Sequence, residues 1–411
     1  MRSEPTASRP ATVIVGVVGA GTMGAGIAQV ALEAGARVLL HDVDPEAFER
    51  ARARIADGLA RRTRRLAAGT GEAGAAGDAG LSAVIDRLEP APDLESLGIA
   101  DLVIEAALED LELKRRVFAR LDAVAPPGTI LATNTSALSV GAIAATATGH
   151  PERVIGLHFF NPAPLMALVE VVAPPGSDPV IVEAAAALMT VWGKTPVRSA
   201  DAPGFIVNRV NRPFTLEALR LLEDGHGSVE GIDAAVRADG FPMGPFELMD
   251  LVGIDVNLAA ARGIWEAFRY EPRFRPSPIQ ERLVEAGRLG RKTGEGFYWY
   301  GEDGRRIGPA GAFVVDAALV TEDPVDPPIE RIVVAIANEA YRALGEGVAT
   351  ASDVDLALRL GAGHPRGPFE WVERSGGAGP IVAALGRIAA QEHDTDRFEP
   401  APLLLEAAAR V

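Results

Sequence analysis

With 411 residues the chain exceeds what one compact core accommodates, and two or three domains are expected. Its net charge of -16 argues against general binding to nucleic acid or anionic membranes. The absence of cysteine excludes disulfides, thiol nucleophiles and thiolate metal sites, which suits a reducing cytoplasm, and no metal site is expected.

Residues 1–11 are polar, Pro-containing and without the charged-then-apolar order of a secretory signal, so a disordered tail is expected there. Ala11 to Ala28 carries no charge, but its glycines fit a buried strand, turn and helix better than a membrane span. Val13 to Val18 reads as the strand and Gly19-Ala-Gly-Thr-Met-Gly24 as the turn that opens a helix. In such a turn Gly19 permits the bend, Gly21 lets backbone approach a pyrophosphate, and Gly24 lets the helix pack on the strand. Thr22 and Met23 then lie at the helix N-terminus, which favours an anion. A glycine-rich turn can also serve packing alone. A second strand over Val38 to Leu40 leads to Asp42, close to the spacing of ~20 residues expected for the acid that binds the adenosine ribose. A carboxylate there accepts from a free 2′-hydroxyl and repels a 2′-phosphate, and no arginine follows until Arg50, so NAD is favoured over NADP.

Residues 50 to 65 hold seven arginines against the single Asp57, a local balance of +6 in an acidic chain. Gly69 to Gly80 is a glycine/alanine stretch of low complexity. Further strands are expected at Leu102 to Ile104, Ile130 to Ala132 and Val154 to Leu157. Their alternation with helical patterns implies a parallel sheet covered by helices. Gly156-Leu-His-Phe-Phe-Asn-Pro162 and Leu168-Val-Glu-Val-Val172 are two apolar β-type runs joined by the turn Asn161 to Pro164. Folding back would bring Glu170 within reach of His158, and a carboxylate on one ring nitrogen raises the basicity of the other, as a general base requires. A buried histidine satisfied by a structural acid is the alternative reading.

After Asp201-Ala-Pro-Gly204 helical periodicity dominates, starting with Phe205 to Leu222. Leu216-Glu-Ala-Leu-Arg-Leu-Leu-Glu-Asp-Gly225, Asp233 and Gly244-Pro-Phe-Glu247 resemble Asn338-Glu-Ala-Tyr-Arg-Ala-Leu-Gly-Glu-Gly347, Asp355 and Gly367-Pro-Phe-Glu370. The offset is 122 residues at Glu217/Glu339 and Asp233/Asp355, and 123 at the Gly-Pro-Phe-Glu motif. The expected domains are therefore 12–200, a first helical copy over 201–300, a Gly/Pro/Asp-rich linker over 301–328, and a second copy over 329–411. The chain has only 3 lysines against 37 arginines, and Lys114, Lys194 and Lys292 all fall in or near motif-like segments, pointing to position-specific need.

The chain resembles the 3-hydroxyacyl-CoA dehydrogenase family over nearly its whole length. Besides Gly19 to Gly24, the resemblance rests on Leu102-Val-Ile-Glu-Ala106, Thr133-Asn-Thr-Ser136, Gly156 to Pro162, Pro203-Gly-Phe-Ile-Val-Asn-Arg209 and Leu289-Gly-Arg-Lys-Thr-Gly-Glu-Gly-Phe-Tyr298. It implies an α/β Rossmann-type N-terminal domain followed by two tandem all-α C-terminal domains. The implied activity is NAD-dependent oxidation of a short-chain (S)-3-hydroxyacyl-CoA to the 3-oxoacyl-CoA, in fatty-acid or aromatic-acid catabolism. His158 would be the base, Glu170 its orienting partner, and Ser136 and Asn208 polar contacts to the reacting substrate. Helix capping is the alternative for Ser136, and a structural contact at the domain hinge for Asn208. Glu109 and Lys114 fall where the family places groups around the cofactor, although an exposed i, i+5 charge pair is the ordinary reading. Arg54, Arg61 and Arg65 lie where the family inserts a helical hairpin that touches acyl-CoA, so they would meet the coenzyme A phosphates or form a solvated basic face. The duplicated copy implies either a monomer with intramolecular domain pairing or a homodimer. Two other functions fit fewer residues: dehydrogenation of a free hydroxy or sugar acid, as in crystallin-like relatives, and non-catalytic NAD binding.

Overall fold

The computed structural model describes residues 12–70, 76–147, 149–311, 328–391 and 396–410, without the side chains of 65–70 and 76–79. The expected tail and most of the expected linker lie outside the described residues. Two compact units, Met1–Val197 and Arg198–Val411, divide the chain.

In the first unit β1 (Ile14–Val18), α1 (Thr22–Glu33), β2 (Arg37–His41), α2 (Ala47–Thr70), α3 (Ala76–Ile85), β3 (Leu88–Pro90) and β4 (Leu102–Glu105) are followed by α4 (Leu111–Val124), β5 (Ile130–Thr133), α5 (Val140–Ala144), β6 (Val154–Phe159), β7 (Leu168–Ala173), α6 (Pro179–Val191) and β8 (Thr195–Ala200). They build one sheet in the order β3-β2-β1-β4-β5-β6-β7-β8. The strands alternate between two cores: Leu102 and Ile104 of β4 join the core beneath α1 and α6, whereas Val103 joins the one beneath α4 and α5. This two-faced burial explains why these strands read as continuous apolar runs.

The ladders from β3 through β6 are parallel, as the alternation of strands and helices implies, and β7 pairs antiparallel with β6, the fold-back expected of the two runs joined by the Asn161 to Pro164 turn. The reason lies in the connection. Parallel neighbours need a long crossover, and the short Pro-containing turn after β6 permits only a fold-back.

The second unit contains α7 (Val207–Val210), α8 (Arg212–Glu223), α9 (Val229–Ala238), α10 (Pro245–Val252), α11 (Ile254–Ala267), α12 (Pro278–Glu285), β9 (Tyr298–Tyr300), β10 (Arg306–Pro309), α13 (Pro328–Gly345), α14 (Ala351–Gly361), α15 (Pro368–Arg374), α16 (Ala378–Gln391) and α17 (Pro402–Ala409). The antiparallel pair β9–β10 departs from an all-α reading. Asp250 accounts for it, accepting from Phe297 N and Tyr298 N, both at 2.9 Å, and so seating β9.

The sequence repeat is also a structural one. Asp233 accepts from Phe246 N (3.0 Å) and Glu247 N (3.1 Å) at the start of α10, and Asp355 does the same for Phe369 N (2.8 Å) and Glu370 N (3.2 Å) at the start of α15. A Cβ on Gly244 or Gly367 would lie 2.3 or 2.2 Å from the corresponding aspartate, hence the glycine in both motifs. Where α7 and α8 pack on α13 the ion pairs cross between copies: Arg209 Nε on α7 meets Glu339 at 2.7 Å, and Arg331 Nε meets Glu217 on α8 at 2.9 Å.

Candidate active site

The nucleotide end of the first unit forms at the carboxyl ends of β1 and β4, on either side of the point where the strand order turns outward. Gly19 has φ 98°, and a Cβ there would stand 2.6 Å from Ala106 O. A Cβ on Gly24 would stand 1.8 Å from Gly19 O, so helix and turn touch through bare backbone. Gly21 differs, because nothing lies within 4 Å of its Cβ position. Packing does not call for glycine there, and the open space leaves room for a ligand to approach the backbone. Gly21 is also the N-cap of α1, with no side-chain cap and no acid in the first turn. The N–H groups of Thr22, Met23 and Gly24 therefore lack intrahelical acceptors and suit a phosphate.

Asp42 follows β2 directly. Its Oδ2 accepts from Ala20 N at 2.7 Å and its Oδ1 from Asp44 N at 2.9 Å, which pins the carboxylate. It lines a cavity of about 580 Å³ together with Gly19, Gly21, Ala106, Ala107 and Arg116. A dinucleotide fits this arrangement: a bare turn and helix N-terminus for its pyrophosphate, and a fixed acid for a ribose diol. Asp42→Ala should therefore reduce the preference for NAD over NADP by about tenfold or more, the worth of a charge-assisted hydrogen bond. Kd values for both dinucleotides measure this, and an unchanged ratio removes Asp42 from the site.

Glu109 and Lys114 correct the ordinary reading. Lys114 is buried, with Nζ 2.6 Å from Glu105 and 3.4 Å from Glu109. Glu105 ends β4 and also accepts from Thr133 Oγ1 and Ala107 N, each at 2.7 Å. Glu109 accepts from Thr135 Oγ1 (2.6 Å), Ser136 N (2.9 Å) and Ala137 N (3.1 Å). Burial pushes the Glu109 carboxyl up, but the Thr135 hydroxyl, the Lys114 charge and those amides outweigh it and hold the group below its ordinary range. Glu105 was the residue to notice: a carboxylate within the apolar run Leu102-Val-Ile-Glu needs a buried partner. Ser136 is exposed and its Oγ lies 3.5 Å from Glu109. It is not a helix cap, since Ser139 fills that position for α5, accepting from Ala142 N at 3.2 Å.

His158 on β6 lies directly opposite Glu170 on β7 in the ladder, and both are buried. His158 Nδ1 donates to Glu170 Oε2 at 2.6 Å. The neutral ring then carries its hydrogen on Nδ1 and its lone pair on Nε2. Asn134, just past β5, accepts from Phe159 N at 2.8 Å and ties the Ser136 loop to the histidine strand. Asn208 is half-buried on α7 in the second unit.

Arg54 and Arg61 are exposed on α2 opposite the buried Ala51, Ile55 and Leu59. The side chain of Arg65 lies outside the described residues. The basic stretch is less unbalanced in space than in sequence, because Arg50 pairs with Asp44 and Glu46 and Arg62 with Glu33. Among the described residues no group of acids and histidines could hold a metal, and no helix is long and apolar enough to cross a membrane.

Residues 14–202 match the model of the 3-hydroxyacyl-CoA dehydrogenase NAD binding domain, and residues 204–300 and 329–409 match the C-terminal domain of the same family. The chain belongs to the 3-hydroxyacyl-CoA dehydrogenase family. It is 40% identical to 3-hydroxyadipyl-CoA dehydrogenase of Escherichia coli K12, covering 96% of this chain and 97% of that protein. It is 41% identical to the mitochondrial hydroxyacyl-coenzyme A dehydrogenase of Sus scrofa over 73% of this chain and 96% of that one. The crystal structure of 3-hydroxybutyryl-CoA dehydrogenase from Escherichia coli K12 superposes with a TM-score of 0.84 at 38% identity, covering 97% and 98% of the two chains. As a family member the chain is an NAD-dependent oxidoreductase acting on a CH–OH group.

Proposed function

We propose that the chain oxidises short-chain (S)-3-hydroxyacyl-CoA to 3-oxoacyl-CoA, with His158 as general base and Glu170 as its orienting partner. The carrying observation is the buried 2.6 Å bond between His158 Nδ1 and Glu170 Oε2, which presents Nε2 as the basic nitrogen. His158 Nε2 takes the proton of the substrate 3-hydroxyl while the C3–H electron pair leaves as hydride and the C3–O bond becomes a carbonyl. Glu170 offsets the charge that the ring gains. Bound NAD supplies the hydride acceptor, held by Gly19, Gly21, Thr22, Met23, Gly24 and Asp42, with Glu109 and Lys114 beside it. Ser136 and Asn208 are the neutral polar residues assigned to the substrate, suited to hydrogen bonding without competing as bases. Arg54, Arg61 and Arg65 are assigned to the coenzyme A phosphates, the first two being exposed on one helix seven residues apart.

The relatives named for 3-hydroxybutyryl-CoA and 3-hydroxyadipyl-CoA support a short acyl chain, with or without a terminal carboxylate. Pairing of the two helical copies within one chain stands in for a contact between subunits, and a reducing cytoplasm is the proposed compartment of this cysteine-free chain. A thioester panel from four carbons upward, with terminal dicarboxylic members and the matching free hydroxy acids, tests the reading through NADH absorbance. Turnover confined to short thioesters is expected. Equal turnover of the free acids, or none across the panel, overturns it.

A further inference from the structure

Of the three lysines, Lys114 and Lys292 pair with carboxylates, Glu105 and Asp255. Lys194 does not follow them. It is buried at the entrance to β8, and its Nζ donates to two backbone carbonyls, Ala163 O at 2.6 Å and Met166 O at 2.8 Å. Both belong to the turn that joins the His158 strand to the Glu170 strand. The next residue, Thr195, donates from its backbone N–H to Ala167 O at 2.8 Å, and Lys194 N donates to Met189 O at the end of α6.

Among the described residues no carboxylate lies within ion-pair distance of Lys194, and a buried ammonium so placed is costly; a chain that uses arginine for nearly every other cation nonetheless keeps lysine here. Geometry gives the reason. A compact ammonium reaches both carbonyls from a single nitrogen, and a larger planar guanidinium does not reproduce that geometry at the same position without moving the turn. We propose that Lys194 is a positioning residue for the reaction. By clamping Ala163 and Met166 it seats the 161–167 turn on α1, and so holds the base-bearing hairpin in fixed relation to the helix whose N-terminus receives the dinucleotide. The proposal rests on His158 being the base.

Burial pushes the Lys194 ammonium below its ordinary range. The charged groups facing it, Glu33 on α1 and Arg62 on α2, act in opposite directions and are paired with each other. The clamp therefore weakens as pH rises through the lowered value, when the ammonium loses its charge. An alkaline fall in kcat follows.

The test compares the parent with Lys194→Met and Lys194→Arg, measuring kcat, KM for thioester and NAD, and the pH profile. Lys194→Met should lower kcat by about 10- to 100-fold, the cost of misplacing reacting groups by an ångström or less, with KM for NAD changed by no more than about threefold. Its profile should lose the alkaline fall, and Lys194→Arg should not restore kcat. Folded Lys194→Met with kcat within twofold of the parent and the alkaline fall intact overturns the proposal. Should Lys194→Met fail to fold, Gly26→Ala decides, because its methyl group shifts the turn against α1 by a few tenths of an ångström while leaving Lys194 in place. A severalfold loss of kcat is expected, and an unchanged kcat overturns the proposal. A parent that fails to reduce NAD with any thioester contradicts the proposed function itself, separately from the clamp.

Discussion

His158→Gln should lower kcat by about 10² to 10⁴ with NAD affinity retained, the loss expected when a general base is replaced by a neutral side chain of similar size. The amide can still occupy the space beside Glu170, so the fold of the hairpin should survive, but it has no basic nitrogen to accept the hydroxyl proton. NAD affinity should hold because Gly21, the α1 N-terminus and Asp42, the groups assigned to the dinucleotide, are left unchanged. Glu170→Gln should lower kcat by a smaller factor, since the base remains but its charged form loses a buried carboxylate. Stopped-flow NADH formation after saturation with both substrates separates the chemical step from binding. Parent-like turnover in His158→Gln would return the pair to a structural role, and reduced NAD affinity with unchanged kcat would move it to cofactor binding.

Glu217→Gln should cost about 3–5 kcal/mol of stability, the largest structural effect expected for one substitution in the second unit. Glu217 is buried, and Arg220, Arg331 and Arg397, all buried too, surround it. Burial alone pushes its carboxyl up, but the three guanidinium groups outweigh this and hold it at about 2. Neutralising it leaves their charges uncompensated in a poorly solvated space. The sign of the pH dependence follows: with the folded-state value below the unfolded one, this stabilisation is present in full above the ordinary carboxylate range. It is lost as pH falls toward 2. Urea denaturation followed by far-ultraviolet circular dichroism, at neutral pH and at pH 4, measures both effects. Removing Arg331 as well should recover part of the loss, because the double variant leaves one fewer buried charge unpaired. A single-variant cost below about 1 kcal/mol would show that water reaches the cluster and screens it.

Much of the site was legible because its signals are local. Gly19, Gly21 and Gly24 answer to one turn, and the structure separates their reasons: two are demanded by protein backbone and one by open space. His158 and Glu170 were readable as opposed partners since a short Pro-containing turn leaves two β-type runs little choice but to fold back. Lys114 was misjudged for the same local reason. Its spacing from Glu109 suggested an exposed pair on a helix, whereas its nearer partner is Glu105 at the end of a strand, and the ammonium is buried between them.

The amino-acid order alone determined the alternation of strands and helices in the first unit, the glycine turn after β1 and the duplication of the helical part. The first two depend on periodicity and on glycine's backbone freedom, carried by residues near one another in the chain, and the third on the same motifs recurring 122 to 123 residues on. Tertiary structure alone decided which charges meet. Arg209 finds Glu339 across 130 residues and Arg331 finds Glu217 across 114, and Lys194 closes on carbonyls 31 and 28 residues back. Such pairings follow from how whole elements pack, and a buried charge takes whatever partner that packing brings within reach.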